Sequence, residues 1–256
     1  MLRLLKRSLI LINSIEKAWR NLLNDVFEVG VFHEKDDGDM LLEKMINQVF
    51  IVNIVDDFFW GNKSINSLVF ADLIGKGLFN ISGYPLKDEA LMEYVLQLDD
   101  EKQIFIDDYE DSFIYTYPER ILGMKTVDRD GKVSLYNQFD VMCERLRNFD
   151  GSNRAVATLY NVGLDELEQH IPCLNWLQIT IRNDELILHV MFRSNDLYNA
   201  FPSNMMFLMY LGLKFVEELH DEYPLLKFKG INYNSTSLHI YKSDFDQAKN
   251  VIKKVV

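Results

Sequence analysis

Three separated positions in the sequence carry side chains that could act together on a small molecule. Cys173 offers a thiol, whose thiolate form is a strong nucleophile. Arg193 and Ser194 place a guanidinium beside a hydroxyl, a combination that can bind a phosphate. Asn204 presents both a hydrogen-bond donor and an acceptor. Taken singly, each has an ordinary alternative: a buried inert thiol, a solvated surface pair and a helix N-cap.

A second pattern lies near the end of the chain. His239 and Tyr241 alternate along a predicted strand, so their side chains face the same side. Both could then reach one hydroxyl group of a ligand. As an isolated pair, they would more commonly be hydrogen-bonded core residues.

Several generic motifs are absent or incomplete. Gly75-Lys76-Gly77 lacks the Gly-Lys-Ser/Thr ending of a phosphate-binding loop. Cys173 has no nearby cysteine or histidine at a spacing typical of metal ligands, so we predict no metal site. The chemistry therefore depends on how the separated residues combine.

Between Gln138 and Tyr241 the sequence resembles the thymidylate synthase family, which includes the pyrimidine nucleotide hydroxymethylases. The resemblance rests on four linked blocks in a fixed order: Pro172-Cys173, Arg193-Ser194-Asn195-Asp196, Pro202-x-Asn204 and Leu238-His239-Ile240-Tyr241. The first half of the chain matches only loosely. Its shortened form is similar to the compact archaeal branch of the family.

This resemblance implies a nucleophilic role for Cys173. The C5 carbon of uracil is a poor nucleophile until a group adds to C6, and a thiolate can do so. Cys143 lies in a helical stretch beside none of the blocks, so we interpret it as structural.

The resemblance also implies roles in substrate binding. Asn204 would pair with the O4 and N3–H edge of uracil, whereas the cytosine-specific relatives carry Asp there. Arg193 and Ser194 would bind the phosphate of the nucleotide. The remaining residues implied to contact the nucleotide are Gln178, Asp196, His239 and Tyr241.

Other roles depend on the looser first half or on a second subunit. Arg154 would reach the phosphate of the partner subunit, although Asn153 replaces the arginine common beside it. Glu93 resembles the general acid/base glutamate of the family. Tyr117 is the candidate for the tyrosine near C5, with Tyr115 as the alternative. The implied co-substrate is 5,10-methylenetetrahydrofolate or a methanopterin-type equivalent.

The pattern of hydrophobic residues predicts the elements that position these side chains. Helical spacing begins at Ile15 and recurs over Leu86–Leu98, Asn137–Arg147 and Met205–His220. Strands are predicted at Ala155–Tyr160, Trp176–Ile181, Leu186–Phe192 and Ser237–Tyr241, with a turn at Asn183-Asp184 and a loop at His33–Asp39. We therefore predict one α/β (α+β) domain over residues 1–256, a mixed twisted sheet with flanking helices. The resemblance adds a sheet face at a homodimer interface.

Composition limits the classes of partner. The chain has 256 residues, 48% of them hydrophobic, and carries 27 basic against 39 acidic residues, a net charge of −12. This charge disfavours nucleic acid and anionic membranes as partners, and we predict neither. Only two cysteines occur, which is typical of a reducing cytoplasm.

Three functions remain open at this point. The first is methylation of dUMP to dTMP by a homodimer with a shared phosphate site. The second is hydroxymethylation of dUMP or UMP, in which water replaces hydride in the last step. The third is a non-catalytic homologue that binds nucleotide or only dimerises.

Overall fold

A computed structural model of the protein describes residues 9–12, 15–52, 84, 95, 97–98, 115–127, 129–168 and 170–253. Within these ranges the centre of the fold is an eight-stranded mixed sheet. The strands are β1 (Leu9–Ile12), β2 (Val31–Glu34), β3 (Met40–Val52), β4 (Met124–Val127), β5 (Val133–Tyr136), β6 (Val156–Thr158), β7 (Leu174–Arg182), β8 (Glu185–Phe192), β9 (Asn195–Asp196) and β10 (Lys227–Tyr241). The helices are α1 (Ile15–Val29), α2 (Tyr117–Leu122), α3 (Gln138–Asn148), α4 (Val162–Asp165), α5 (Phe201–Glu218) and α6 (Phe245–Lys253).

The strand order of the large sheet is β1-β3-β10-β8-β7-β6, with β2 beside β3 and β9 beside β10. Strands β4 and β5 form a separate hairpin. Strand β10 is antiparallel to β3 and parallel to β8, so the sheet is mixed. The predicted α+β class with flanking helices is therefore confirmed.

The hairpin of β7 and β8 closes at the turn predicted from the sequence. Asn183 and Asp184 both have positive φ, 54° and 58°, as a two-residue type I′ turn requires. Asn and Asp tolerate this conformation better than other side-chain-bearing residues. The turn fixes the register of the hairpin, in which Arg182 faces Glu185 and Leu174 faces Phe192.

Helix α5 forms the centre of the hydrophobic core. All residues from 201 to 213 are buried, between the sheet and α1. The prediction that this helix begins at Met205 is wrong, because it begins at Phe201 with Pro202 in its first turn, where the lack of an N–H costs nothing. Asn204 therefore lies inside the helix and is not its N-cap. The N-cap residue is Ala200. No helix in the described ranges is long and apolar enough to cross a membrane.

The prediction from sequence missed one long strand and most of another. Strand β3 was not predicted at all, and β10 begins at Lys227, well before Ser237. The core face of β3 alternates apolar and polar residues: Leu42 and Ile46 are buried, but Lys44 lies between them and pairs with Asp25 of α1. The lysine on the core face interrupts the alternation of apolar and polar residues that predicts a strand. His33 and Glu34, predicted as loop, form part of β2, and most of the predicted helix Leu86–Leu98 lies outside the described residues.

A buried ion pair fixes α2 to α4. Arg120 Nη2 donates to Asp165 Oδ1 over 2.6 Å, and both side chains are nearly inaccessible. Asp165 Oδ2 also accepts a hydrogen bond from the backbone N–H of Asn161. Each carboxylate oxygen thus accepts a hydrogen bond, which offsets part of the cost of burying the charge.

We predict that Asp165→Ala lowers the free energy of unfolding by about 3–5 kcal/mol, because it leaves the Arg120 guanidinium buried without its counter-charge. Urea titration followed by circular dichroism measures this loss. The matched control is Glu185→Ala, which breaks the exposed pair with Lys229 and is expected to cost less than about 1 kcal/mol. Equal losses in the two variants would contradict the prediction.

The sheet face opposite the core carries a hydrogen-bonded histidine. His189 Nε2 lies 2.8 Å from Thr180 Oγ1, and its Nδ1 lies 3.0 Å from Asn232 Nδ2. An amide nitrogen only donates, so Nδ1 accepts and Nε2–H donates to Thr180. The neutral ring is therefore satisfied at both nitrogens, and burial lowers the pKa of His189.

This arrangement predicts a loss of stability in mild acid. The unfolded histidine takes up a proton near pH 6.5, whereas the folded one does so only at lower pH, so the unfolded state binds more protons in between. The free energy of unfolding should fall as the pH drops below about 6.5, by at most ~1.4 kcal/mol per pH unit for this group. His189→Gln should reduce the slope of the profile measured by urea titration between pH 5 and 7, while the slope due to His239, whose pKa burial also lowers, remains. Replacing the exposed His33 by Gln is the control, and an unchanged profile in His189→Gln would refute the assignment.

Candidate active site

The register of the β7–β8 hairpin brings Cys173 beside Arg193 and Ser194. Cys173 immediately precedes β7, and Arg193 immediately follows β8. Because Leu174 faces Phe192, the next residues outward are also neighbours, and the Arg193 N–H donates to the Cys173 carbonyl over 2.8 Å. Residues distant in sequence therefore meet at one end of the hairpin.

The guanidinium of Arg193 points at the thiol. Arg193 Nη2 and Ser194 Oγ each lie 3.6 Å from Cys173 Sγ. A guanidinium at this distance stabilises the negative charge of a thiolate, the nucleophilic form. Arg193 is held in place by the carbonyls of Ile171 and Pro172, which accept from its Nη2 and Nε over 2.8 and 3.1 Å.

Two tyrosines flank the same segment. Tyr117 Oη accepts from the backbone N–H of Leu174 over 3.3 Å, and Tyr115 Oη donates to the Ile171 carbonyl over 3.2 Å. The two hydroxyls therefore bind the backbone at the residues one after and two before Cys173, and burial raises the pKa of Tyr115. Thr116 between them caps α2, and its side chain accepts from the Glu119 N–H. The choice between Tyr115 and Tyr117 stays open.

Strand β9 brings Asp196 next to His239. Residues 195 and 196 pair in parallel with 238 and 239 of β10. Asp196 Oδ1 accepts from the backbone N–H groups of Tyr198 and Asn199, so the carboxylate also orders the turn into α5. His239 and Tyr241 share a side as predicted, with ring centroids 5.1 Å apart.

Neighbouring side chains fix the tautomer of His239. Ser237 Oγ donates to Glu43 Oε2 over 2.5 Å, so it can only accept from His239 Nδ1, 3.3 Å away. The Ser237 carbonyl, 3.4 Å from Nδ1, is likewise an acceptor. Nδ1 therefore carries the proton, and burial lowers the pKa of His239, which keeps the ring neutral. Nε2 is then an acceptor, and it is buried without a hydrogen-bond partner among the described residues.

Sequence reasoning missed Lys35, which lies beside Tyr241. Lys35 Nζ is 3.5 Å from Tyr241 Oη and also contacts Asp37. An ammonium group only donates, so the hydroxyl of Tyr241 accepts from it and can donate its own proton to a ligand. A ligand hydroxyl could then donate to His239 Nε2 and accept from Tyr241. The turn between β2 and β3 carries no sequence signal that links Lys35 to Tyr241.

Asn204 lies in the first turn of α5 and belongs to a buried polar chain. Its Nδ2 donates to Asn195 Oδ1 over 3.0 Å, and Asn195 Nδ2 donates to Tyr233 Oη over 2.7 Å. All three residues are buried. No role was predicted for Asn195, which is the variable position of its block, or for Tyr233.

The other predicted residues have their described contacts outside this cluster. Gln178, in the middle of β7, donates to the Asn153 carbonyl, and the Arg154 carbonyl accepts from Arg145. Asn153 Oδ1 accepts from Arg182 over 2.8 Å. Glu93 lies outside the described residues. Over the described ranges, no group of three or more His, Cys, Asp or Glu is placed to hold a metal ion.

Comparison with known proteins identifies the class of this fold and site. The family model described as thymidylate synthase matches residues 96–256, and the chain belongs to the thymidylate synthase family. A protein of Methanothermobacter marburgensis named "Putative thymidylate synthase" is 28% identical over 247 residues, 95% of this chain and 97% of that protein. A protein of the same name from Methanococcoides burtonii is 27% identical over 253 residues, 96% and 95% of the two chains. A third, from Methanocaldococcus jannaschii, is 34% identical over 177 residues, 65% of this chain and 70% of the other.

The site geometry predicts different reactivities for the two thiols. Cys173 is half-buried beside a guanidinium, whereas Cys143 is buried and burial raises the pKa of its thiol to about 12. We expect one fast reaction with a disulfide reagent in the native protein at pH 7 and two after unfolding. Arg193→Gln should slow the fast reaction roughly five- to tenfold, because the thiolate loses its positive neighbour.

The control for this experiment is Arg182→Gln, at the opposite end of β7 from Cys173. It removes the same charge from the protein as a whole and should leave the rate unchanged. Equal rates in Arg193→Gln and the parent protein would show that the guanidinium does not activate the thiol.

Proposed function

We propose that the protein transfers one carbon to C5 of dUMP and forms dTMP. The observation that carries the proposal is the contact of Cys173 with Arg193 and Ser194 in a chain of the thymidylate synthase family. This contact supplies a nucleophile and an anion-binding group within one small volume.

The proposed reaction begins with addition of the Cys173 thiolate to C6 of the uracil ring. The electron pair of the C5=C6 bond moves towards O4, which makes C5 nucleophilic. C5 then attacks the methylene group of a reduced pterin, either methylenetetrahydrofolate or a methanopterin-type carrier. Loss of the C5 proton would then expel the carrier nitrogen and leave an exocyclic methylene group on C5. Hydride from the reduced carrier would add to this group, and the resulting enolate would expel the Cys173 thiolate and restore the C5=C6 bond. Addition of water in place of hydride would give the hydroxymethyl product.

The described residues support the binding part of the proposal. His239 Nε2 is a buried acceptor and Tyr241 a donor, so together they suit one sugar hydroxyl. Arg193 and Ser194 suit a phosphate, and Asn204 suits the uracil edge. The described contacts of Arg154 and Gln178 are with Arg145 and Asn153 and not with this cluster, and the proposed contact of Arg154 with phosphate is made to a second copy of the chain. We propose a homodimer with a shared phosphate site for this reason.

The test is mass spectrometry of nucleotides after incubation with each carrier. We expect the mass of one methyl group to be gained by dUMP, with dCMP, UMP and CMP unchanged. Cys173→Ser should lower the rate roughly a thousandfold or more, because the serine hydroxyl is a far weaker nucleophile. Cys143→Ala is the matched control and should retain activity.

Other outcomes separate the alternatives. A hydroxymethyl gain would assign the protein to the hydroxymethylases of the same family. Full activity of Cys173→Ser would disprove the covalent mechanism. An absence of product from all four nucleotides with both carriers would favour a non-catalytic nucleotide-binding protein.

A further inference from the structure

Two charged side chains lie behind the pair formed by His239 and Tyr241. Strand β10 is antiparallel to β3 with His239 opposite Glu43, so these two side chains lie on the same face of the sheet. Tyr241 is opposite Leu41, and Lys35 lies in the turn that connects β2 to β3. The hairpin of β2 and β3 therefore supplies an anion near the histidine and a cation near the tyrosine.

Glu43 fixes the position of the His239 proton through Ser237. The Glu43 carboxylate only accepts, and Ser237 donates its single hydroxyl hydrogen to it over 2.5 Å. Ser237 Oγ can then only accept from His239 Nδ1, and the Ser237 carbonyl is a second acceptor at the same nitrogen. Burial lowers the pKa of His239, so the ring is neutral and Nε2 is an acceptor. This Nε2 is buried and has no hydrogen-bond partner within the described ranges.

Lys35 fixes the role of the Tyr241 hydroxyl. Its ammonium nitrogen lies 3.5 Å from Tyr241 Oη and 5.3 Å from the centre of the ring, so it is closer to the hydroxyl than to the ring centre. Asp37 accepts from the same ammonium group over 2.6 Å, and this hydrogen bond raises the pKa of Lys35. Because an ammonium group only donates, Tyr241 Oη accepts from it and keeps its own hydrogen for a ligand.

The two charged ends give the chain of hydrogen bonds one direction. It begins at Lys35 and ends at Glu43. A hydroxyl can turn and exchange its roles, but a turn of Ser237 would leave the carboxylate without its hydrogen bond, and a turn of Tyr241 would bring its hydrogen against the ammonium group. Reversal of the whole chain needs a proton on Glu43 and the loss of one from Lys35, which no rotation of the side chains supplies.

The position between His239 and Tyr241 therefore requires a ligand group that both accepts and donates. The two rings lie edge to face with centroids 5.1 Å apart, so their polar atoms can contact one small group. A hydroxyl meets both requirements. A hydrogen atom in its place leaves the buried Nε2 unpaired, and a phosphate dianion has no hydrogen to donate. In dUMP, C3′ is the one sugar carbon with a free hydroxyl, since C5′ carries the phosphate and C2′ carries hydrogen.

We propose that Glu43 and Lys35 are positioning residues that fix His239 as acceptor and Tyr241 as donor, and so make this part of the site selective for a free 3′-hydroxyl group. The inference rests on the proposed function, since the ligand hydroxyl is taken to be that of dUMP. Glu43 and Lys35 act through their neighbours and do not touch the substrate.

The binding test compares dUMP with 2′,3′-dideoxy-UMP, which lacks the hydroxyl, by isothermal titration calorimetry without any carrier. The parent protein should bind dUMP about tenfold more tightly, because the analogue leaves a buried acceptor unpaired. Glu43→Ala should reduce this ratio about three- to fivefold, since Ser237 can then donate to Nδ1 and Nε2 becomes a donor. Lys35→Met keeps the apolar stem and should reduce the ratio about twofold.

Nitrogen-15 NMR of the histidine rings tests the positioning role without any nucleotide. The two nitrogens of a neutral ring are distinct, and the spectrum reports which one carries the proton. Comparison with His239→Gln assigns the signals. Above neutral pH, we expect the proton on Nδ1 in the parent protein and a shift of the proton towards Nε2 in Glu43→Ala. A merely structural role of Glu43 would leave the tautomer unchanged.

The matched controls are Glu185→Ala and Lys229→Met, which remove the same charges from an exposed pair near the opposite ends of β8 and β10. They should leave both the binding ratio and the His239 tautomer unchanged. Thermal unfolding establishes that each variant is folded. If Glu43→Ala does not fold, Lys35→Met and the spectrum of the parent protein carry the test.

Three results would overturn the inference, and they differ in what they leave standing. A proton on Nε2 in the parent protein would show that Glu43 does not fix the ring. Equal binding of the two nucleotides, or a ratio that neither Glu43→Ala nor Lys35→Met changes, would show that these residues do not set the selectivity, while the proposed function stands. If the parent protein binds neither nucleotide, the proposed function itself fails and the selectivity fails with it.

Discussion

The parallel pairing of β8 with β10 is the constraint on which the candidate site depends. It aligns the C-terminal ends of two strands. Arg193 after β8 and His239 near the end of β10 therefore lie at the same end of the strands. Strand β7 is antiparallel to β8, so Cys173, which precedes β7, lies at that same end. Side chains of a strand alternate between faces, so a shift of one residue in β10 would turn His239 and Tyr241 to the opposite face.

The polar groups of the site are ordered because each has a partner that can act in only one way. A carboxylate accepts from Ser237, so Ser237 accepts from His239. An ammonium donates to Tyr241, and carbonyls accept from Arg193. For Ser237 and Tyr241, a group with a single hydrogen-bonding role fixes a hydroxyl that has two, and the carbonyls fix the direction of a guanidinium that only donates. The site is therefore preorganised for a ligand with a defined pattern of donors and acceptors, at no cost in reorientation when the ligand binds.

The sequence was sufficient to predict the β7–β8 hairpin, because two alternating segments enclose an Asn-Asp turn of known preference. It also predicted that His239 and Tyr241 share a side, since a strand has a strict period of two. It failed for β3, where Lys44 on the core face breaks the apolar pattern and finds its counter-charge in Asp25 on another element. Periodicity detects burial by hydrophobicity and cannot detect a polar residue that tertiary pairing accommodates.

The same limit explains the missed residues of the site. Asn195, Glu43 and Lys35 have partners far away in the chain, and no local pattern encodes such contacts. Helix α5 was predicted to begin at Met205, but it begins at Phe201, with Pro202 in the first turn, where a proline is common. That error also made an N-cap role for Asn204 plausible, although the helix has already begun at this residue.

The groups around Arg193 explain how an acidic protein can contain an anion-binding site. The net charge is −12, and several cations of the described ranges pair with a carboxylate, as Arg120, Arg147 and Lys229 do. Over the described part of the chain, no carboxylate lies within ion-pair distance of Arg193, whose hydrogen bonds go to two carbonyls, a hydroxyl and a thiol. These neutral groups orient the guanidinium without cancelling its charge. The full charge thus remains for a thiolate or a phosphate, and local neutrality matters more here than the net charge of the chain.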